Sequence, residues 1–277
     1  MIVPRVSVIV PIYNGERTIG ECVESIFALS FPRDDFELLL IDNASTDGTR
    51  KILDLYNDRA VILHEAKRGP AAARNCGLRR AMGETVAFTD ADCVVDRDWL
   101  ARIIAPLKDA GVGIAGGMIR AIKPCNAVEE FGERIHDHQL AIEHYSPPYA
   151  ITMNWASRRS VLEKAGPFDE ELLRCEDCDL AYRIVAAGYR IVHEPAAVVY
   201  HRNERSLGGL IAEGYAHGYH SISLLNKHEE FVRAFVSGRE RGRPAAREPR
   251  PNESLYWKVF NFGKATGKAV ASLRRLI

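Results

Sequence analysis

The first 120 residues alternate short apolar runs with stretches whose apolar side chains recur every three or four positions. Residues 6–10 form a β-branched apolar run that ends at Pro11. Residues 18–29 instead place Ile19 and Val23 on one helical face. The same pattern predicts strands at 6–10, 36–41, 60–63 and 85–89, and helices at 18–29, 46–56, 71–82 and 99–107. This alternation predicts an α/β fold with a mostly parallel central sheet flanked by helices.

The pattern beyond residue 120 is less regular. It predicts helices at 127–144, 160–165 and 177–187, and strands at 189–193 and 197–201. Residues 239–253 are rich in Arg and Pro and are predicted to be a linker. One more helix is predicted at 255–277, with an apolar stripe formed by Leu255, Val259, Phe262, Val270, Leu273 and Ile277. We therefore divide the chain into a domain at 1–238, a linker at 239–253 and a basic amphipathic helical extension at 254–277.

The formal net charge of the 277-residue chain is zero, since 37 basic residues balance 37 acidic ones. The charges are unevenly distributed, because residues 239–277 carry ten basic and three acidic side chains, whereas residues 1–238 carry 27 and 34. A neutral total argues against a protein that is basic throughout, and we predict no nucleic-acid partner. The apolar runs are strand-sized and six cysteines do not make a disulfide scaffold, so we expect a reduced, cytoplasmic protein.

Polar groups occur at three predicted strand ends: Tyr13-Asn14, Asp42, and the Asp90-Ala91-Asp92 sequence. Ligands of parallel sheets bind outside the carboxyl ends of the strands, so the three groups are expected to share one edge. Two carboxylates one residue apart can bind Mg²⁺ or Mn²⁺ together with a diphosphate. A polar turn that caps the following helix would explain the same residues without any ligand.

Three acidic residues begin the helix predicted at 177–187. Glu176 and Asp177 could simply cap it, because the helix dipole stabilises negative charge there, or one of them could act as a general base. His201 ends an apolar strand, where it could either bind a divalent metal or pack as an ordinary side chain. His136 and His138 lie in a polar helix and are predicted to be solvated.

The order of these motifs is more specific than any one of them. The sequences are Val8-Ile9-Val10-Pro11-Ile12-Tyr13-Asn14, Ile41-Asp42-Asn43-Ala44-Ser45-Thr46-Asp47, Ala73-Arg74-Asn75-Cys76-Gly77, Thr89-Asp90-Ala91-Asp92, Gly166-Pro167-Phe168-Asp169, Glu176-Asp177-Cys178-Asp179-Leu180 and Val198-Val199-Tyr200-His201. In this order they resemble the family 2 glycosyltransferases, which have the GT-A fold. The resemblance covers roughly residues 4–210. One departure is Asn43, where many members have a second Asp.

The resemblance implies a metal-dependent, inverting transfer of a sugar from a nucleotide diphosphate donor to an acceptor hydroxyl. It implies a nucleotide-sugar-binding half at 4–119 and an acceptor-side half at 120–238. The implied donor-binding residues are Pro11, Tyr13, Asn14, Asp42, Arg74, Asn75 and Asp90. The implied catalytic pair is Glu176 and Asp177, with Asp177 as the base, and the implied ligands of Mg²⁺ or Mn²⁺ are Asp92, Asp90 and His201. UDP-sugars are the favoured donors, and a carbohydrate or a lipid-linked sugar is the expected acceptor, as in the synthesis of cell-envelope polysaccharide.

Two other functions are compatible with an α/β fold of this kind. A sugar-phosphate nucleotidyltransferase resembles this class, but it has a Gly-rich N-terminal loop with a basic residue, which residues 11–16 lack. A catalytically inactive carbohydrate-binding or scaffold relative would be expected to have lost one or more of the polar motifs, and all of them are present here. The first alternative predicts pyrophosphate release from a nucleoside triphosphate, and the second predicts no turnover of a nucleotide sugar.

The C-terminal helix admits two interpretations. Its apolar stripe opposes Lys258, Lys264, Lys268 and Arg275, an arrangement typical of a helix lying in a membrane interface. The protein would then attach peripherally to the cytoplasmic face of a membrane. Alternatively, the helix packs its apolar face against the catalytic domain.

Overall fold

The computed structural model describes residues 4–238 and 253–273. Its strands are β1 (Val6–Ile12), β2 (Phe36–Asp42), β3 (Val61–His64), β4 (Thr85–Thr89), β5 (Cys93–Val95), β6 (Val112–Ala121), β7 (Asn154–Arg158) and β8 (Arg190–His201). Its α-helices are α1 (Ile19–Phe27), α2 (Thr49–Leu53), α3 (Pro70–Arg80), α4 (Trp99–Ile104), α5 (Ala127–Ile135), α6 (His138–Glu143), α7 (Arg159–Ala165), α8 (Glu176–Ala186), α9 (Leu207–Lys227), α10 (Glu229–Gly238) and α11 (Glu253–Leu273). Short 3₁₀ helices cover Arg33–Asp35, Asp54–Tyr56 and Ala105–Lys108.

The described strands form one sheet in the order β3-β2-β1-β4-β7-β6-β8-β5. The first four strands are mutually parallel, as is the β6–β8 pair, whereas β7 is antiparallel to both of its neighbours and β5 is antiparallel to β8. The α/β class is confirmed, and the sheet is mixed, with four parallel and three antiparallel pairs among the described strands. The chain leaves β6 through α5 and α6 and re-enters the sheet from the same end, so β7 runs in the opposite direction.

The central strands are buried on both faces, which explains their nearly continuous apolar runs. In β1, Val8 and Val10 pack into a cluster with α1 and α4, whereas Ile9 on the other face packs with α3 and α8. Three layers result, and the carboxyl ends of β1, β2 and β4 emerge at one edge. The loops that follow these strands therefore lie together, as predicted.

The segment predicted as a single helix at 127–144 is interrupted. Helix α5 ends before His136, and Asp137 caps α6 by accepting a hydrogen bond from the Leu140 amide (2.9 Å). The prediction that His136 and His138 are solvated is wrong, since both are buried. The break in the helix turns both rings inward, and His138 Nδ1 lies 2.7 Å from the Gly117 carbonyl.

The two strands predicted at 189–193 and 197–201 are one strand, β8, which is irregular between them. Its pairing with β6 shifts register between Gly117 and Met118, so Glu194 and Val198 pair with consecutive residues of β6. Such a bulge leaves unpaired residues in the middle of a strand, and it accounts for the interrupted apolar pattern.

Helix α11 packs against α9 through a face that differs from the predicted stripe. Phe260 is buried with Phe131 and Leu210, whereas Leu255 and Phe262 of the stripe remain 55% and 65% exposed. The contact is unusually close because small residues face it: a methyl group at Gly218 would lie 2.0 Å from the Lys264 carbonyl oxygen. Across residues 4–238 and 253–273, the helices include none with the length and apolar content to span a bilayer.

Candidate active site

The loops after β1 and β2 are tied together by Asn14. Its backbone has a positive φ of 51°, its amide N–H donates to Ser45 Oγ (3.0 Å), and its side-chain oxygen accepts from the Thr46 amide (2.8 Å). Asp42 is buried below this contact and accepts from the Ser45 amide (3.0 Å). Both side chains therefore shape the loops.

The hydrogen bonds of Asn43 account for an amide at the position after Asp42, where many family members have an Asp. Its side-chain nitrogen donates to the carbonyls of Glu65 (3.0 Å) and Lys67 (2.7 Å), and its oxygen accepts from the Gly69 amide (2.8 Å). A carboxylate could not donate the first two bonds. Asn43 therefore ties the β2 loop to the segment that leads into α3.

A cavity of about 630 Å³ opens beside these loops and is called here the strand-end cavity. It is lined by Pro11, Tyr13, Asn14, Gly15, Glu16, Arg17, Thr18, Asp47, Asp90, Ala91 and Asp92. The Tyr13 ring is 47% exposed, and the Arg68 guanidinium lies 3.6 Å from its centroid. The cavity thus combines an aromatic surface at one end with the Asp90 and Asp92 carboxylates at the other.

Arg74 links the Asp-x-Asp sequence to the start of α8. Its buried guanidinium donates to Asp90 Oδ1 (2.9 Å) and to Glu176 Oε1 (2.6 Å). Burial lowers the pKa of Arg74, but the charges of Asp90 and Glu176 outweigh that effect and raise it. Arg74 therefore remains charged, and it holds two carboxylates from distant parts of the chain at fixed positions.

Asp177 lies next to this bridge, in the first turn of α8. The residue before the helix, Cys175, has a left-handed backbone (φ 66°), and Asp177 Oδ1 accepts from the Cys178 amide (2.8 Å). Burial raises the pKa of Asp177 above its ordinary value, and the nearby Arg74 opposes that shift. Burial likewise raises the pKa of Glu176 to about 7, against the charge of Arg74. Upward shifts of this kind are common for carboxylates at functional sites.

Asp92 and His201 are brought together by β5, a strand that the sequence pattern did not predict. The β5–β8 ladder pairs Cys93 with His201, which places His201 Nε2 3.5 Å from Asp92 Oδ2. Burial lowers the pKa of His201, but its hydrogen bond and charge interaction with Asp92 dominate and raise the pKa to about 9.

The donor set of this pair suits a divalent metal. His201 Nδ1 lies 2.7 Å from Asn203 Oδ1, so the ring can donate there, and a metal ion bound at Nε2 would displace the proton that Nε2 otherwise directs toward Asp92. Among the residues that the structure describes, no group of three or more such ligands forms a closed metal cage. Two protein ligands next to an open cavity match Mn²⁺ or Mg²⁺ held jointly with substrate phosphates.

A second cavity of about 630 Å³, here the helix-lined cavity, contains Asp177. Its other walls come from 145–153 and from helices α9 and α11, with Tyr149, Glu213 and Lys264 among the lining residues. Asp90 and Arg74 also line it, so the two cavities meet at Asp90. The arrangement provides two binding spaces with an acidic group between them.

The structure separates the predicted site residues into two groups. The residues that line one or both cavities are Pro11, Tyr13, Asn14, Asp90, Asp92, Arg74, Glu176 and Asp177. Neither cavity is lined by Asp42, Asn75 or His201. His201 contacts the site through Asp92. Asn75 was expected to bind the donor, but its side chain is hydrogen-bonded within the protein. Its nitrogen donates to the Phe168 carbonyl (2.9 Å) and to Glu170, and its oxygen accepts from the Phe168 amide (2.9 Å). A buried amide so fully occupied holds the loop before α8 and does not reach a ligand.

Several lining residues were not predicted. Asp47 and Thr18 extend the strand-end cavity, and their sequence signal was that of ordinary helix caps. Glu213, Lys264 and Lys268 line the helix-lined cavity. The sequence places Lys264 and Lys268 opposite the apolar stripe of the last helix, and the close packing of α11 on α9 turns this side of the helix toward the cavity. A signal existed in the paired Gly-xxx-Gly spacings at 214–218 and 263–267, which permit that packing.

Comparisons with known proteins give a consistent result. Residues 7–166 match the family described as "Glycosyl transferase family 2". Glycosyltransferase AglE of Haloferax volcanii is 29% identical over 80% of this chain and 74% of its own length. A pre-mycofactocin glycosyltransferase of Mycobacterium tuberculosis is 27% identical over 81% of this chain. The chain spans about half of that second relative, whose covered share is 48%.

Solved structures show the same similarity in three dimensions. The mannosyltransferase PcManGT from Pyrobaculum calidifontis, solved with GDP-Man and Mn²⁺, has a TM-score of 0.65 and 26% identity, covering 96% of this chain and 73% of its own. Staphylococcus aureus TarS 1–349 with UDP has a TM-score of 0.60 and 18% identity, covering 98% of this chain and 91% of its own. The second match concerns the fold alone.

Proposed function

Because the chain belongs to glycosyl transferase family 2 and has its GT-A fold, we propose that it is a metal-dependent inverting glycosyltransferase acting through Asp177. That it is a glycosyltransferase follows from the family and from its relatives, which disfavours both the nucleotidyltransferase and the inactive scaffold. The observation that supports the mechanism is the meeting of the two cavities at Asp90. The strand-end cavity has the Asp92–His201 pair, and the helix-lined cavity has Asp177.

The donor is proposed to be a nucleotide diphosphate sugar in the strand-end cavity. Tyr13 offers an exposed ring for the base, and the cavity runs from that ring to Asp90 and Asp92. Pro11 and Asn14 also line this cavity. We assign positioning roles to three further residues. Asp42 positions the loop after β2, Asn75 positions the loop before α8, and Arg74 positions the two carboxylates that it bridges. We propose UDP-sugars first, and GDP-mannose is the next donor to test because PcManGT was solved with it.

The cofactor is proposed to be Mg²⁺ or Mn²⁺, held by Asp92 and His201 with Asp90 beside them. The metal would neutralise charge that develops on the departing diphosphate. His201 is oriented for this role by Asn203, and Asp92 keeps part of its carboxylate exposed to the cavity. Arg74 lies on the opposite side of Asp90 and limits the negative charge that the site accumulates.

Asp177 is proposed to remove the proton of the acceptor hydroxyl. The hydroxyl attacks the anomeric carbon from the face opposite the leaving diphosphate, so the base must lie across the sugar from the metal site. Asp177 lines the cavity on that side, and burial raises its pKa toward the range useful for a general base. Glu176, bonded to Arg74, is assigned to positioning the start of α8 and to setting the local charge.

A panel of nucleotide sugars tests the proposal without knowledge of the acceptor. Each donor is incubated with the protein and with Mg²⁺, Mn²⁺ or EDTA, and release of the nucleoside diphosphate is measured. We expect slow, metal-dependent hydrolysis of one nucleotide class. Pyrophosphate release from a nucleoside triphosphate and sugar phosphate would instead support the nucleotidyltransferase, and inertness toward every donor would support the inactive relative.

Peripheral membrane attachment is proposed for the exposed face of α11. Leu255 and Phe262 protrude there without covering partners in the described structure, and the segment 239–277 carries an excess of seven positive charges. Co-sedimentation with anionic vesicles should fall in a Leu255→Ser/Phe262→Ser variant. Binding that is equal in both proteins would reject attachment through this face.

A further inference from the structure

Lys264 and Lys268 form a cationic wall in the helix-lined cavity. They lie one turn apart on α11, both are half-buried, and both line the cavity that contains Asp177. Lys258, one and a half turns earlier on the same helix, is exposed and lines neither cavity. The two inward lysines are therefore distinguished from an ordinary solvated lysine by their position.

Their position is fixed by main-chain packing. Methyl groups at Gly214 and Gly218 would lie 2.3 Å and 2.0 Å from the carbonyl oxygens of Phe260 and Lys264, and Gly267 approaches the Tyr215 carbonyl in the same way. Backbones that pack this closely allow little sliding or rotation of one helix on the other. The helix pair thus holds the backbone of both lysines beside the cavity whether or not a ligand is present.

Neither lysine of this wall forms an ion pair with a carboxylate of the described residues. Four acids line the same cavity: Asp90 and Glu176 pair with Arg74, Glu213 pairs with His136 (3.3 Å), and Asp177 accepts from the Cys178 amide (2.8 Å). Burial lowers the pKa of Lys264, and the charge of Lys268 lowers it further. Two like charges held together in a half-buried space disfavour the empty site, and an anion between them would relieve the repulsion.

The donor diphosphate does not account for this wall. No residue of α9 or α11 lines the strand-end cavity, where Tyr13 and Asp92 lie. The surroundings of the lysines are also partly apolar, since Leu224, Leu225 and Tyr145 line the same cavity. The cationic wall therefore belongs to the side from which the acceptor approaches Asp177.

We propose that Lys264 and Lys268 bind a phosphate group of the acceptor, so that the enzyme glycosylates a hydroxyl of a phosphorylated molecule. This inference rests on the proposed function, because it assumes that Asp177 faces the acceptor. A phosphate ester carries close to two negative charges at neutral pH, which matches two ammonium groups. Lysine is well suited to binding phosphate as a compact charge.

The test is calorimetric titration with inorganic phosphate and with octyl phosphate, which adds an apolar chain. The strand-end cavity is first saturated with Mg²⁺ and the nucleoside diphosphate that the donor panel selects. The wild type is compared with Lys264→Gln/Lys268→Gln, with Lys264→Arg/Lys268→Arg, and with Lys258→Gln as the matched control. We expect the double Gln variant to bind phosphate at least about tenfold more weakly than the wild type, because a lost charge-assisted hydrogen bond has an effect of this size. The double Arg variant and Lys258→Gln should retain the wild-type affinity for phosphate.

Several results would overturn the proposal. These are equal phosphate affinity in all four proteins, no phosphate binding by the wild type, preference for nonanoate over octyl phosphate, or loss of nucleotide affinity in the double Gln variant. The melting temperature shows whether the double Gln variant is folded. If it is not, the single variant Lys268→Gln is used in its place. If no nucleotide binds to any protein, the titration is run without it: lysine-dependent phosphate binding would then stand although the proposed function fails.

Vesicles separate two sources of the phosphate. Phosphatidylcholine vesicles with and without phosphatidic acid are titrated against the same four proteins. Binding that requires both inward lysines but not Lys258 supports the site with a lipid phosphate as its source. Octyl phosphate binding without such vesicle binding supports it with a soluble or polymeric acceptor.

Discussion

The strand-end cavity and the helix-lined cavity are built from different kinds of sequence. The first is formed by loops that directly follow β1 and β4, within residues 11–92. The second collects side chains from Pro70 to Lys268, and its outer wall comes from two helices at the end of the chain. A site at strand ends is fixed by the sheet itself, whereas the other depends on how remote helices pack. We therefore expect substitutions in one cavity to impair its function while the function of the other cavity persists.

The largest effect is expected from Asp177→Asn. The amide keeps the shape of the side chain but cannot accept the proton of a hydroxyl, and general base catalysis contributes about 10²–10⁴-fold. Transfer should fall by that factor while nucleotide affinity stays at the wild-type value. Steady-state transfer assays and nucleotide titration measure the two quantities, with the exposed Asp58→Asn as the matched control. Near-normal turnover in Asp177→Asn would eliminate this residue as the base.

Asp92→Ala should affect the other cavity. Loss of a direct metal ligand should weaken metal-dependent nucleotide binding by more than the about 10–100-fold typical of an outer-shell residue. Calorimetric titration with and without Mn²⁺ gives the comparison. If Mn²⁺ strengthens nucleotide binding equally in wild type and variant, Asp92 is not a ligand.

Gly218→Leu should damage the helix-lined cavity alone. The new side chain meets the Lys264 backbone, and overpacking of this kind costs about 1–3 kcal/mol of stability. We expect transfer to decrease while nucleotide binding in the strand-end cavity persists. Gly208→Ala, whose methyl group would have only Ser206 nearby at 3.9 Å, is the control. Nucleotide binding lost together with transfer would show that the two cavities are not independent.

The smallest change is expected in the pH profile of transfer. Because burial raises the pKa of both Glu176 and Asp177, a larger fraction of the pair is protonated at mildly acidic pH than for exposed acids. The value of kcat/KM should therefore rise with pH and level off at a higher pH than an ordinary Asp would give, since the base must be ionised to act. A plateau that is already reached near pH ~4, the ordinary range of Asp, would contradict the raised values.

The same contrast explains what could be predicted from the sequence. Strands β1 to β4 have strong apolar runs, and their loops hold the recognisable motifs, so this half and five of the eleven residues lining the strand-end cavity were predictable. Strand β5 has three residues and β6 contains three glycines, which leaves little periodic signal. The proximity of Asp92 and His201 came from the family resemblance, and its physical cause, the β5–β8 pairing, appears only in the structure.

The helix-lined cavity was largely unpredictable for a different reason. A helical projection identified an apolar stripe on the last helix, which was expected to face either a membrane interface or the catalytic domain. Instead, Gly263 and Gly267 make the closest contact, because small residues allow two backbones to approach. That rotation exposes Phe262 and turns Lys264 inward. The hydrogen bonds of Asn75 were likewise not predictable, since its partner Phe168 is 93 residues away.

The most direct test is a crystal structure of the protein with Mn²⁺ and the nucleoside diphosphate selected by the donor panel, with the metal located by its anomalous scattering. We expect Mn²⁺ between the Asp92 carboxylate and His201 Nε2, the diphosphate on that metal, and the base beside Tyr13, with Asp177 left uncovered in the helix-lined cavity. A metal located elsewhere, or a nucleotide that covers Asp177, would contradict this expectation.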